Sequence, residues 1–107
     1  MNGAAQAQNG GMTTTEFANE RDASRYTMRR GGVIVSALDY RDDGRTVSFT
    51  RAFTNLPFRG NGYAGELTAF AVDDVEKAGD RAVIPMCWYV ADWFAAHPER
   101  AHLLVSR

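Results

Sequence analysis

The chain is poor in cysteine, histidine and proline, carries almost no net charge, and has no long apolar run. Its single cysteine, Cys87, has no intrachain partner, so no internal disulfide can staple the fold. Two histidines, His97 and His102, are too few and too badly spaced for a metal site, and no carboxylate stands at ligand spacing beside them; no metal is expected. Acids and bases nearly cancel to a net charge of −1, which disfavours an electrostatic grip on nucleic acid or an anionic membrane. There is neither a bilayer-length apolar span nor a charged-then-apolar leader. These absences predict a reduced, cytoplasmic protein built as one small domain. A chain of 107 residues buries roughly 65% of its unfolded surface, enough for one core without a large internal cavity. A ligand would then lie in a surface groove.

What is present begins with a polar stretch. Residues 1–15 are mostly Ala, Gln, Asn, Gly and Thr, too little apolar material to repay ordering, and read as a flexible tail or leader; Met12 is an alternative start. The folded domain is expected over residues 16–107. Arg25-Tyr26-Thr27-Met28 reads as a strand, turned by Arg29-Arg30-Gly31-Gly32. In the next strand, Val33 to Tyr40, Ile34, Leu38 and Tyr40 share one face and Val33, Val35 and Ala37 the other, which suits a strand covered on both sides. Asp42-Asp43-Gly44 marks a hairpin turn. From Thr46 to Thr54 the alternation puts Val47, Phe49, Arg51 and Phe53 on one face, with Arg51 the odd member.

Pro57 ends that strand, and Arg59-Gly60-Asn61-Gly62-Tyr63-Ala64 follows. Beyond it Ala64, Leu67, Ala71, Val75 and Ala78 recur at helical spacing, with Gly79 placed to cap the last turn. Arg81 to Ile84 reads as a short buried strand stopped by Pro85. Strand, helix, strand around a glycine loop implies a parallel pair with a right-handed crossover. A short helix then runs through Asp92, Trp93, Phe94 and Ala96 to Pro98, and Ala101 to Val105 is a final strand or an extended edge.

Two glycines just before a helix let the backbone approach a bulky anion, and the free NH groups and positive dipole end there favour phosphate. Alone this signal is weak, since a glycine turn is more often a connector. No Lys-Ser or Lys-Thr pair follows Gly62, which disfavours a nucleotide P-loop, and a dinucleotide fingerprint needs a third glycine. The remaining pattern, Arg59-x-x-Gly62-x-Ala64, resembles the coenzyme A pyrophosphate loop of the GCN5-related N-acetyltransferases. A second, separated set sharpens the likeness: Pro85-Met86-Cys87, Tyr89-Val90, His97-Pro98-Glu99 and Leu103-Leu104-Val105 resemble the terminal signature of a small single-domain subgroup of that family. The match runs from about Phe17 onward.

The resemblance implies a mixed α/β (α+β) fold: a minimal acetyltransferase domain with a mixed antiparallel and parallel sheet, two splayed central strands and a coenzyme-binding helix. It implies acetyl-CoA as cosubstrate, held at the diphosphate by Arg59, Gly60, Asn61, Gly62, Tyr63 and Ala64 and at the pantetheine by main-chain groups near Ala52 and Thr54. The acceptor is an amine-bearing small molecule or protein, with no nucleic acid or membrane partner. Cys87 and Tyr89 are the candidate catalytic residues. The Cys87 thiol would face the acyl sulfur, where it could form an acyl-cysteine or tune the site, its bland alternative being a small packing residue. Tyr89 would protonate the departing thiolate; Trp88, Tyr89, Trp93 and Phe94 otherwise read as an aromatic cluster packing the last helix. The subgroup usually has a His-Thr pair before the loop, where this chain has Arg51 and Ala52, and arginine cannot act as a base. The alternatives are therefore a coenzyme A-binding or protein-interaction module with little transfer activity, or a domain whose loop has no ligand.

Overall fold

A computed structural model describes residues 13–105. Most of the expected tail, 1–12, lies outside the described residues, and the first strand already begins at Thr15. Five strands form one sheet in sequential order: β1 (Thr15–Glu20), β2 (Arg25–Arg30), β3 (Val33–Asp42), β4 (Thr46–Thr54) and β5 (Ala82–Pro85). The first four are antiparallel neighbours, and β5 lies parallel to β4. Helix α1 (Tyr63–Ala78) makes the crossover, and α2 (Trp88–Ala96) leads into a 3-10 segment, Pro98–Leu103. The mixed sheet and the crossover are as the sequence predicts. No helix among the described residues is long and apolar enough to cross a membrane.

Local chemistry sets the turns. Gly31 and Gly32, at φ of 59° and 83°, form a two-residue hairpin whose twist matches the strands beside it. In the next hairpin the Asp43 carboxylate accepts the amides of Arg45 and Thr46 at 2.9 and 2.7 Å, which holds its pKa below the usual carboxylate range. Strand β1 has little strand propensity; its side chains hold it through tertiary contacts. Phe17 stacks on Phe70 of α1 with ring centroids 5.0 Å apart, and Asn19 accepts the Tyr40 hydroxyl at 2.7 Å.

The core lies between one face of the sheet and both helices. Tyr26, Met28, Leu38, Tyr40, Val47, Phe49 and Val83 meet Leu67, Ala71 and Val75 of α1, and the same cluster takes in Val90, Trp93 and Phe94 of α2. The opposite face is half exposed at Arg25, Arg29, Ala37, Asp39, Ser48, Ala82 and Ile84, and bears no helix among the described residues. The expectation that β3 is covered on both sides is thus corrected.

Two bulges account for the other departures from strict alternation. Across β2 and β3 the register passes from Met28↔Ser36 to Arg29↔Ile34, leaving Val35 without an opposite residue; Val35 and Ser36 are both buried, and Ile34 falls on the open face. Across β3 and β4 it passes from Asp39↔Arg51 to Tyr40↔Phe49, so Thr50 is the extra residue. Beyond Thr50 the sides exchange: Val47 and Phe49 point to the core, whereas Arg51 and Phe53 point out and Ala52 packs inward. Arg51 is therefore no member of the apolar face. The C-terminal segment is also reassigned. After the 3-10 turns a single parallel bridge among the described residues, Leu104 to Val83, continues the sheet as an extended edge.

Candidate active site

The site is built where β4 and β5 part company. Their parallel ladder runs from Thr46↔Ala82 to Phe49↔Pro85 and is closed by the Cys87 amide donating to the Phe49 carbonyl at 2.9 Å. Past that point Pro85 and the start of α2 turn away while β4 continues for five residues. The Asn55 amide donates to the Val35 carbonyl at 3.1 Å, toward β3. By alternation, the main-chain groups of Ala52 and Thr54 then face the gap where β5 no longer follows. The Thr50 bulge sets this phase.

At the head of the gap, Gly62 caps α1 with φ of 77°, a left-handed conformation natural to glycine, and offers no capping side chain. The first helical bond runs from Glu66 N–H to the Gly62 carbonyl at 3.1 Å. Among the described residues, no carbonyl or side-chain oxygen accepts the amides of Gly60 through Gly65. A Cβ placed on Gly60 or Gly62 would meet nothing within 4 Å, so the loop is open to an approaching group. Arg59 donates from Nε to the Thr54 carbonyl at 3.1 Å and so ties the loop to the end of β4. Asn61 donates to the Phe58 carbonyl at 2.9 Å, closing the turn that precedes Gly62.

A cleft of about 320 Å³ fills the gap, lined by Ala52, Phe53, Thr54, Arg59, Ala64, Cys87, Trp88 and Tyr89. A smaller hollow of about 190 Å³ adjoins it over the glycine loop and shares Thr54, Arg59, Ala64 and Tyr89. Apart from Asn61, whose amide closes the loop's turn, the residues singled out from the sequence therefore line one continuous surface. Cys87 is a wall of the cleft and, only 9% exposed, also a member of the core. Tyr89 spans cleft and loop; its hydroxyl lies so close to Gly65 that a Cβ there would stand 3.3 Å away. Gly65 thus makes room for the meeting of the two helices.

The structure regroups the aromatic residues. Trp93 and Phe94 are buried, but Trp88 is 73% exposed at the cleft mouth, edge-on to Tyr89 with centroids 5.8 Å apart. Its position directly after Cys87, outside the apolar stripe of α2, is the signal that separates it from the packing cluster. Phe53, which the alternation placed on one face with Val47 and Phe49, is a second wall residue of the cleft. His97 lies against the Trp93 ring, centroids 3.9 Å apart, and its Nδ1 donates to the Trp93 carbonyl at 2.6 Å, a capping role. His102 reaches Glu76 at 3.0 Å on the surface.

The sequence model of a family described as GCN5-related N-acetyl-transferase matches residues 25–103, from the second strand to the end of the last 3-10 turn. The chain belongs to the GCN5-related N-acetyltransferase family. No match is found among curated proteins. For a GCN5-related domain the free amides at the start of α1, the two glycines ahead of it and the parted strands suit a coenzyme that carries a diphosphate and an amide-bearing arm. Neither histidine nor carboxylate lines the cleft, and no cluster able to hold a metal ion occurs among the described residues.

Proposed function

We propose that this protein is an acetyl-CoA-dependent acyltransferase that moves acetyl to an amine. The observation that carries the reading is the run of unpartnered amides from Gly60 to Gly65 at the start of α1, opening directly into the gap between β4 and β5. These residues are exposed or half-exposed and the first amides of a helix have no intrahelical partner, so water meets them in the free protein and a ligand's oxygens can take its place. Those amides and Arg59 would take the diphosphate, with the dipole of α1 adding to the attraction. Main-chain groups of Ala52 and Thr54 would take the pantetheine amides as an added strand does.

Bound there, acetyl-CoA supplies a thioester: a bond forms from the amine nitrogen to the acyl carbon, the carbon–sulfur bond breaks, one proton leaves nitrogen and one reaches sulfur. Tyr89 is the proton donor in this reading, because its hydroxyl takes part in no hydrogen bond among the described residues and it lines the cleft. Cys87 places a thiol in the same wall and is the candidate nucleophile of a two-step variant, in which its sulfur bonds the acyl carbon as coenzyme A leaves with the thiol's proton, and the amine then displaces that sulfur, its proton returning to the Cys87 thiol. If Cys87→Ala transfers acetyl as fast as the parent at every pH, its role is packing alone. A raised melting temperature with acetyl-CoA, followed by release of free coenzyme A on adding an amine panel, tests the reading.

One observation favours a second reading. The cleft lacks histidine and carboxylate, the side chains that most often take an amine's proton near neutral pH, as a coenzyme A-binding module without efficient transfer would have it. Stabilisation by acetyl-CoA without coenzyme A release by any amine selects it.

A further inference from the structure

A thioester lying between the parted strands can be reached from one side of the sheet. On the inner side the gap is closed by Ala64, Cys87 and Tyr89, where α1 and α2 touch. On the outer side the sheet is open, and a groove of about 230 Å³ crosses β2, β3 and β4, lined by Arg25, Ala37, Asp39, Arg51 and Phe53. Phe53 lines the groove and the cleft alike, so the two adjoin at its ring.

The charges in this groove divide into satisfied and free. Arg25 is held by Glu20 at 2.8 Å, and Arg29 shares the same carboxylate at 2.7 Å. Asp39 and Arg51 face one another across β3 and β4, yet among the described residues neither joins any ion pair or side-chain hydrogen bond. Instead of crossing to Asp39, the Arg51 guanidinium lies along its own strand, 5.6 Å from the Phe53 ring, toward the cleft. Two opposite charges left unbridged over one groove match a ligand carrying both, which gains one more ion pair there than a ligand carrying a single sign.

Order across the sheet then fixes which end of such a ligand reacts. The gap lies beyond β4, Arg51 is on β4, and Asp39 is on β3, one strand farther away. We propose that the acceptor is a free basic amino acid: Arg51 holds its α-carboxylate as a guanidinium fork, Asp39 holds its α-ammonium, and its side-chain amine reaches past Phe53 to the thioester. The two-residue step from Arg51 to Phe53 covers about 7 Å, roughly the reach of an ornithine or lysine stem. This rests on the acetyltransferase reading above and adds its substrate class.

The test compares acetyl transfer to L-lysine and L-ornithine with transfer to 1,5-diaminopentane, which lacks the carboxylate, and to Nα-acetyl-lysine amide, which lacks both head charges. The free amino acids should show kcat/KM at least tenfold higher, with acetyl found on the side-chain nitrogen by NMR. Arg51→Gln should erase the preference by raising KM for the amino acids at least tenfold with a much smaller change in kcat, and Asp39→Asn should act the same way. Acetyl-CoA affinity should match the parent in both variants. Equal transfer to the diamine or to the blocked lysine, acetylation at the α-nitrogen, or a preference surviving Arg51→Gln overturns the proposal while leaving the acetyltransferase reading in place. Failure of acetyl-CoA to bind at all overturns both.

Discussion

The two ends of β4 are built to opposite rules. At its first end buried hydroxyls and charges are tied together: the Tyr26 hydroxyl donates to Asp74 at 2.7 Å, Tyr40 to Asn19 at 2.7 Å, and Arg81 to Asp42 at 2.7 Å, while β5 is zipped alongside from Thr46 to Phe49. Burial and the neighbouring Asp74 push the Tyr26 phenol well above its usual range, and burial likewise raises Tyr40. The Arg81 guanidinium and the Gly44 amide hold Asp42 below the ordinary carboxylate range. At the other end, past Thr50, the strand keeps its neighbour on one side only among the described residues, and the amides from Gly60 to Gly65 have no acceptor among them. A small domain has little stability to spare. The satisfied end supplies it, so that the other end can leave donors free for a ligand.

That contrast predicts which substitutions affect folding and which affect binding. Phe49→Ala, at the last rung of the zipped ladder, should lower stability by about 3–5 kcal/mol in urea unfolding, because it empties a fully buried ring position. Gly62→Glu should weaken acetyl-CoA binding at least 100-fold, about 2.7 kcal/mol by titration calorimetry, by setting a carboxylate where the diphosphate would lie. Its positive φ adds a folding cost of about 1–2 kcal/mol, and Gly62→Asn, which tolerates that conformation better, serves as the control. Unchanged affinity in Gly62→Glu would falsify the diphosphate site.

Smaller effects should sharpen the division. Tyr26→Phe removes a hydrogen bond to a carboxylate at the zipped end and should cost about 1.5–3 kcal/mol in the same unfolding assay, with acetyl-CoA affinity unmoved. Glu20 gives the smallest effect. Arg29 and Arg25 draw its pKa from 4.5 to about 2, so its contribution to stability is complete above pH 4.5 and disappears as pH falls toward 2. Glu20→Gln should lower stability modestly at neutral pH and flatten the acid limb in that window, so that the two stability curves converge toward pH 2; a parallel acid limb would show the pair to be without consequence.

Much of this was legible residue by residue. Gly31-Gly32 and Asp43-Gly44 are turns whose backbone demands are local, the stripe of Leu67, Ala71 and Val75 marks the buried face of α1, and Gly79 caps it at φ of 75° with its amide on the Val75 carbonyl. The loop from Arg59 to Ala64 announces itself because a helix start needs donors satisfied, and the residues there cannot satisfy them. Ala78 shows the limit of such reading: it continues the apolar stripe but is exposed, at the edge of a hollow it shares with Val47 and Arg81.

What the chain alone determined, then, is each element whose stabilising contacts lie within a few residues: turns, helix stripe, caps and the open glycine loop. Tertiary structure decided everything that depends on two segments at once. A bulge belongs to a pair of strands, so nothing within Thr46 to Thr54 states that Thr50 will be the extra residue or that Arg51 and Phe53 will turn outward. The polar strand β1 forms only because Phe70 and Tyr40 stand ready to receive Phe17 and Asn19. The meeting of Tyr89 with Gly65, and with it the closed inner wall of the cleft, exists only once α1 and α2 pack on the same face of the sheet.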